Sequence, residues 1–98
     1  MIARPFSVFL RDAVRIALRM EQPDAGQRFL DDVDSTVNQL LVRPELGRFR
    51  PEVKAGLRSW PFEVFGNWIN FYRVDKESLR QVRLLHGARD LPRALLRD

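Results

Sequence analysis

The sequence predicts an α+β fold in which an N-terminal helical hairpin packs on an antiparallel sheet of three to four strands. Three observations carry this. Two consecutive blocks in the first half place apolar residues at helical spacing. The stretch Gly56 to Leu91 holds both tryptophans, the only tyrosine and the only histidine, and turn signals divide it into three apolar-rich segments. The segments between, at Pro23 and from Pro44 to Gly56, are too polar or proline-rich for either pattern. The 98 residues are read as a single domain, 1–98. At that size roughly 60 to 65 per cent of the chain's surface leaves water on folding, so a lone sheet needs a helical layer or a partner.

Residues 1–5 leave two readings open: Ile2-Ala3-Arg4 is the stub of an edge strand, or Pro5, which cannot donate to a ladder, spoils it. From Phe6 the pattern is helical. Phe6, Phe9, Leu10, Ala13, Ala17 and Met20 recur at spacings of three and four, with Arg11, Arg15 and Arg19 on the other side, which predicts a helix over 6–20. Asp24, with Gln27 three residues on, is a candidate capping box for a second helix over 24–43. That helix buries Phe29, Val33, Val37, Leu40 and Leu41, exposes Asp31, Asp34, Ser35 and Asn38, and stops at Pro44. The short link between the helices makes them antiparallel.

PELGRFRPEVKAG shows no periodicity and is expected to be loop. Strands are expected at 57–65, 68–74 and 79–86, the first two joined by a tight Gly66-Asn67 turn and the last two by a longer loop at Asp75–Ser78. Pro61 implies an edge position or a bulge in the first of them. A regular pleat in the last puts Val82, Leu84 and His86 on one face and Gln81, Arg83 and Leu85 on the other. Beyond Asp90, Leu91-Pro92 opens a tail that is either a final helical turn or frayed.

Composition narrows the function. With no cysteine and one histidine there is no disulfide framework and no thiolate or histidine-rich metal site, and neither metal nor cofactor is expected. No run approaches the ~18 apolar residues of a membrane span, and the N-terminus lacks the features of a signal peptide, so a cytoplasmic protein without a membrane partner is expected. Net charge is +4, unevenly placed: residues 1–42 hold five arginines against six acids, residues 43–98 twelve Arg or Lys against seven. All but Lys54 and Lys76 of the basic residues are arginine, whose planar fork suits carboxylate or phosphate. An anionic partner, nucleic acid or acidic protein segment, fits this. A coding bias toward arginine on a merely soluble surface fits it equally.

Five motifs stand in a familiar order and spacing: the Pro23-Asp24-Ala25 helix opening followed by Phe29; the Pro44-Glu45-Leu46-Gly47 loop; Gly56-Leu57-Arg58-Ser59; Phe71-Tyr72-Arg73; and His86-Gly87-Ala88-Arg89-Asp90. In these the chain resembles the ParE branch of the RelE/ParE toxin superfamily. The resemblance implies a helical hairpin on an antiparallel sheet with one more strand ahead of the first helix, where this sequence departs through Pro5. It also implies the toxin of a type II toxin–antitoxin module of the plasmid-stabilisation kind, neutralised by a ParD-like antitoxin. ParE-type toxins poison DNA gyrase, whereas RelE-type relatives cut messenger RNA on the ribosome.

Metal-free RNA cleavage needs a base, an acid and a cation for the phosphorane charge. Arg58, Glu63, Arg73, Arg83, His86 and Arg89 supply the types. On a regular strand, however, Arg83 and His86 point to opposite faces, and His86 shares its face with Val82 and Leu84, as a histidine at the core's rim does. RelE-type toxins tend to end in a polar tyrosine- or lysine-rich cluster, and none follows Asp90. The expectation is therefore a non-enzymatic toxin that binds gyrase. A ribosome-dependent endoribonuclease using Arg58, Arg73, Arg83 and His86 is one alternative; a degenerate toxin that only binds its antitoxin is another. The residues expected to meet the antitoxin or the target are Arg11, Arg15, Arg58, Trp60, Arg73 and Arg89, and sequence-specific nucleic-acid binding is not expected. Trp60, Phe62, Trp68 and Phe71 read more readily as core, with Trp60, beside Pro61, the most exposed of them. Asp90 reads as a structural tie for the tail, and Arg48, Arg50 and Lys54 as solvated loop cations.

Overall fold

A computed structural model describes residues 1–87. Its elements are β1 (Ile2–Ala3), α1 (Ser7–Leu18), α2 (Ala25–Val42), a 3-10 turn at Pro44–Leu46, β2 (Arg48–Phe49), β3 (Arg58–Pro61), β4 (Trp68–Val74) and β5 (Ser78–His86). The strands form one five-stranded sheet in the order β1-β5-β4-β3-β2, antiparallel throughout except for the parallel pair β1–β5. The α+β class and the helical hairpin stand as expected; the sheet is wider by the two short edge strands.

Pro5 does not spoil the first strand. The amides that reach β5 are those of Ile2, Arg4 and Phe6, donating to the carbonyls of Glu77, Leu79 and Gln81 at 2.8, 2.8 and 2.9 Å. Pro5 occupies the alternate position, whose nitrogen faces away from the ladder, so its missing N–H costs nothing there. The linker after α2 is likewise not all loop, because Arg48 and Phe49 pair with Ser59 and Arg58. Two isolated residues carry no period, which hid them in the sequence. Pro61 ends β3 beyond the last pair with β2, an edge position as its chemistry requires.

The expected capping box is absent. Asp24 adopts the left-handed conformation (φ 62°) without capping the helix through its side chain, and Gln27 donates instead to Asp31 at 2.9 Å. The hairpin closes tightly because Gly26 lies against the backbone of α1, where a Cβ would come to 2.7 Å from the Ala17 carbonyl oxygen.

Gly66-Asn67 does form a tight turn, closed by the Trp68 amide donating to the Phe65 carbonyl at 2.9 Å, but the turn lies at the end of a wider loop instead of joining the two strands directly. β3 stops at Pro61, the Phe62 amide makes one last bond across to the Trp68 carbonyl at 3.1 Å, residues 63–67 leave the ladder, and neither Gly66 nor Asn67 has positive φ. A buried carboxylate explains this: Asp32 of α2 accepts the amides of Val64 (3.1 Å) and Phe65 (2.8 Å), pulling FEVF off the sheet and onto the helix. Phe62 and Phe65 then meet Phe29 edge-on, with ring centroids 5.8 and 5.4 Å away.

The pleat of β5 is also not regular. Phe71 pairs with Arg83 but Tyr72 with Gln81, so Val82 is the extra residue of a bulge. Leu84 packs with Phe9, Ala13 and Phe29 under the helices, while Val82 and Leu85 join Val53, Leu57 and Phe71 on the opposite face. The expected grouping of Val82 with Leu84 and His86 is therefore wrong. Both faces of the sheet are covered, one by α1 and α2 and the other by the loop that carries Val53 and Leu57.

A third cluster, Leu40, Tyr72 and Leu79, ties the end of α2 to the sheet. The Tyr72 hydroxyl donates to the Pro44 carbonyl at 2.7 Å and accepts the Gly47 amide at 2.8 Å, so it clamps the Pro-Glu-Leu-Gly turn. Gly47 has to be glycine for room, since a Cβ there overlaps the tyrosine oxygen. Burial, the largest cause, raises the Tyr72 pKa above the usual phenol value. The clamp's contribution is thus complete below ~pH 10 and is lost as pH rises through the raised folded value. Tyr72→Phe is expected to cost about 1–3 kcal/mol in chemical denaturation, because it leaves a buried amide and carbonyl unpaired. Tyr72 is the only tyrosine, so ultraviolet titration reads it directly. The folded protein should titrate above the denatured one, and Tyr72→Phe should remove that part of the alkaline stability loss.

Candidate functional site

α1 is amphipathic in a way the sequence shows only in part. Its buried residues are Phe9, Asp12, Ala13 and Ile16. Leu10, expected in the core, is 51% exposed, and Val14 and Leu18 are 53% and 80% exposed. These three recur every four residues and form a second apolar stripe on the outer side of the helix, interleaved with Arg11, Arg15 and Arg19. Two open grooves meet along it. One, of about 900 Å³, is lined by Leu10, Arg11, Val14, Leu18, Arg19 and Arg83 among others. The second, of about 620 Å³, runs between the helices past Leu10, Val14, Leu30, Val33, Val37 and Leu41.

Asp12, which the sequence reading missed, fixes the orientation of this surface. Its carboxylate is 3% exposed at the residue level and accepts from Arg83 Nε at 2.8 Å, the Leu84 amide at 3.1 Å and Arg15 at 3.2 Å. The only acid in an arginine-rich helix, one residue before Ala13 of the apolar face, was the available signal. The Arg15 guanidinium is thereby folded back along α1, while Arg11 stands exposed beside the groove.

Arg58 donates to the Gly47 carbonyl at 2.7 Å and lies 3.7 Å over the Phe49 ring, which makes it a brace for the turn before β2. Trp60 is partly buried against the Leu40, Tyr72 and Leu79 cluster, with its Nε1 3.4 Å from Gln39. Arg73 lies beside Phe6, Arg83 is bound to Asp12, and His86 meets the Trp68 ring edge-on at 5.0 Å. Each of Arg58, Arg73, Arg83 and His86 thus has a different neighbour among the described residues. Glu63 is exposed in the 62–67 loop, and Arg89 and Asp90 lie outside the described residues. Among the described residues no three histidine, cysteine, aspartate or glutamate side chains are placed to hold a metal, and no helix is long and apolar enough to cross a membrane.

The described residues present an arginine-flanked apolar helix face on a helical hairpin that packs on a five-stranded sheet. The particular family follows from comparison with known proteins. The profile of the ParE toxin of type II toxin–antitoxin systems (parDE) matches residues 7–91, and the chain belongs to this family. The fold is similar to that in a solved structure of the chromosomal ParDE TA system from P. aeruginosa, with a TM-score of 0.72 and 18% identity, covering 88% of this chain and 95% of the other. No curated protein sequence matches the chain.

Asp12→Ala is expected to cost about 1–3 kcal/mol in denaturant unfolding, because the buried Leu84 amide loses its acceptor and Arg83 one of its partners. Arg15→Ala, which removes a largely exposed partner of the same carboxylate, should cost under about 1 kcal/mol.

Proposed function

We propose that this ParE-family chain is the toxin of a type II module, held inactive by a ParD-like antitoxin whose acidic, helix-forming segment lies along the outer face of α1. Once released, it arrests growth by binding DNA gyrase. The observation that carries the antitoxin reading is the exposed Leu10–Val14–Leu18 stripe, interleaved with Arg11, Arg15 and Arg19. A helix laid in an apolar groove takes its affinity from anchors at such spacing, while charges at the rim set register and on-rate. Each exposed arginine–carboxylate pair is worth only ~0.2–1 kcal/mol, so the apolar anchors dominate. The same face is compatible with a segment that is disordered when free and folds on the toxin. The gyrase reading rests on family membership. A cytoplasmic site of action belongs with both.

Val14→Glu should weaken the antitoxin by about 2 kcal/mol or more, roughly thirtyfold in Kd, while leaving the unfolding midpoint close to that of the parent. Arg11→Ala with Arg19→Ala should slow association and flatten its salt dependence, with little change in dissociation rate. Unchanged antitoxin binding by a folded Val14→Glu protein would sink the α1 assignment. Purified toxin is expected to block gyrase supercoiling and to leave translated messenger RNA intact; codon-specific cleavage on ribosomes, abolished by His86→Ala, would replace the gyrase reading with the ribonuclease one.

A further inference from the structure

Arg73 of β4 and Arg80 of β5 stand directly opposite each other across the ladder. Like charges so placed repel, and a fold gains nothing by pairing them. Both flank one ring. Phe6, tied to β5 through its amide to the Gln81 carbonyl, has the two guanidinium carbons 5.8 Å (Arg73) and 5.6 Å (Arg80) from its ring centroid. The ring restrains both side chains without neutralising either. The Nε of Arg73 is buried without a hydrogen-bond partner. Asp75 approaches Arg80 at 3.4 Å, but both side chains of that pair are more than a third exposed and the pair is correspondingly weak.

The surroundings extend the pattern. By the alternation of the strands, Arg73 and Arg80 project from the face that carries Phe71 and Ser59. Arg50 lies over the Phe71 ring at 5.9 Å and donates to Ser59 Oγ at 3.2 Å, while Arg48 pairs with Ser59 across the β2–β3 ladder. Four arginines between β2 and β5 thus share the side of the sheet away from the helices, but Arg50, its side chain only 15% exposed and ion-paired with Glu52 at 2.8 Å, is held within the fold, which leaves Arg48, Arg73 and Arg80 as the cations of this face. Glu52 stays ionised beside them, its pKa lowered chiefly by the hydrogen bond from Arg50. The two apolar grooves lie elsewhere, along α1 and between α1 and α2. A peptide on the arginine face would therefore have to rely on exposed ion pairs. A polyanion gains at every cation and releases counterions as it does so.

We propose that this face binds the phosphate backbone of duplex DNA without reading its sequence, with Arg73 and Arg80 clamping one phosphate beside Phe6. Backbone contacts of this type position a protein on DNA and carry no base preference. The site lies on a different surface from the α1 stripe, so its test stands apart from that of the antitoxin reading.

The test is a titration of a fluorescently labelled mixed-sequence duplex oligonucleotide with the purified chain over a range of salt, followed by anisotropy. Binding should weaken steeply with salt. R73Q/R80Q should lower the affinity about tenfold at low salt and reduce the slope of log K against log salt by about one, the counterion release of one phosphate. R73K/R80K, which keeps the charge, should retain most of that slope. R80Q alone, at the more accessible position, should give a smaller loss in the same direction and serves if the double variant fails to fold. An acidic peptide should bind this face weakly and lose little in R73Q/R80Q. Absence of salt-dependent DNA binding by the parent chain, unchanged DNA affinity in a folded R73Q/R80Q or R80Q protein, or a greater loss for the acidic peptide than for DNA would each overturn the proposal.

Discussion

The fold depends on one buried carboxylate. β5 is nine residues long, but the N-terminal segment reaches its outer edge only as far as Gln81, through the Phe6 amide. The rest of its outer edge would present unpaired amides, a liability that folds must cover. Asp12 covers it from α1, accepting the Leu84 amide and gathering the Arg83 guanidinium at the same point. This contact sets how α1 sits against the sheet. The position of α1 in turn decides which of its apolar residues are core and which remain outside: Phe9, Ala13 and Ile16 turn inward, Leu10, Val14 and Leu18 outward.

Asp32 repeats the device on α2. It accepts two amides of the 62–67 loop, so that each helix fastens itself to the sheet layer by a carboxylate on backbone N–H groups rather than by apolar contact alone. Such bonds are directional, and because one partner is charged they are stronger than neutral ones. They specify register where the aromatic cluster of Phe29, Phe62, Phe65 and Trp68 would tolerate some sliding. The Tyr72 clamp on Pro44 and Gly47 performs the same task at the far end of α2.

This division explains what the sequence disclosed. Helical and strand periods are averages over many residues, so both helices, β4 and β5 could be read within a residue or two of their ends. Features decided by a single long-range polar contact could not. FEVF looks like a strand until Asp32, thirty-two residues earlier, claims the Val64 amide. Leu10 looks like core until Asp12 turns the helix. Val82 looks like part of a regular alternation until the bulge displaces it. β2 is too short to have a period, and the pleat around Pro5 was legible only once its partner strand was known. Of the site residues named from the sequence, Arg11 and Arg15 lie on the outer face of α1, whereas Arg58 and Trp60 are engaged within the fold.

The link between α1 and the last strand also bears on how the chain is made. Asp12 waits for partners 71 and 72 residues further along, and β1 waits for Ser78 and Leu79. At about 5–20 residues per second, a ribosome takes roughly 4–14 s to deliver them. Until then Asp12 has only Arg15 of its own helix as a partner, and the nascent helical hairpin carries two uncovered apolar sides, because both edges of its fold close only when β5 arrives. A domain whose first and last segments complete each other in this way cannot assemble piecemeal from its N-terminus. Its native surface comes into being late and all at once, only after residues 78 to 84 have been made.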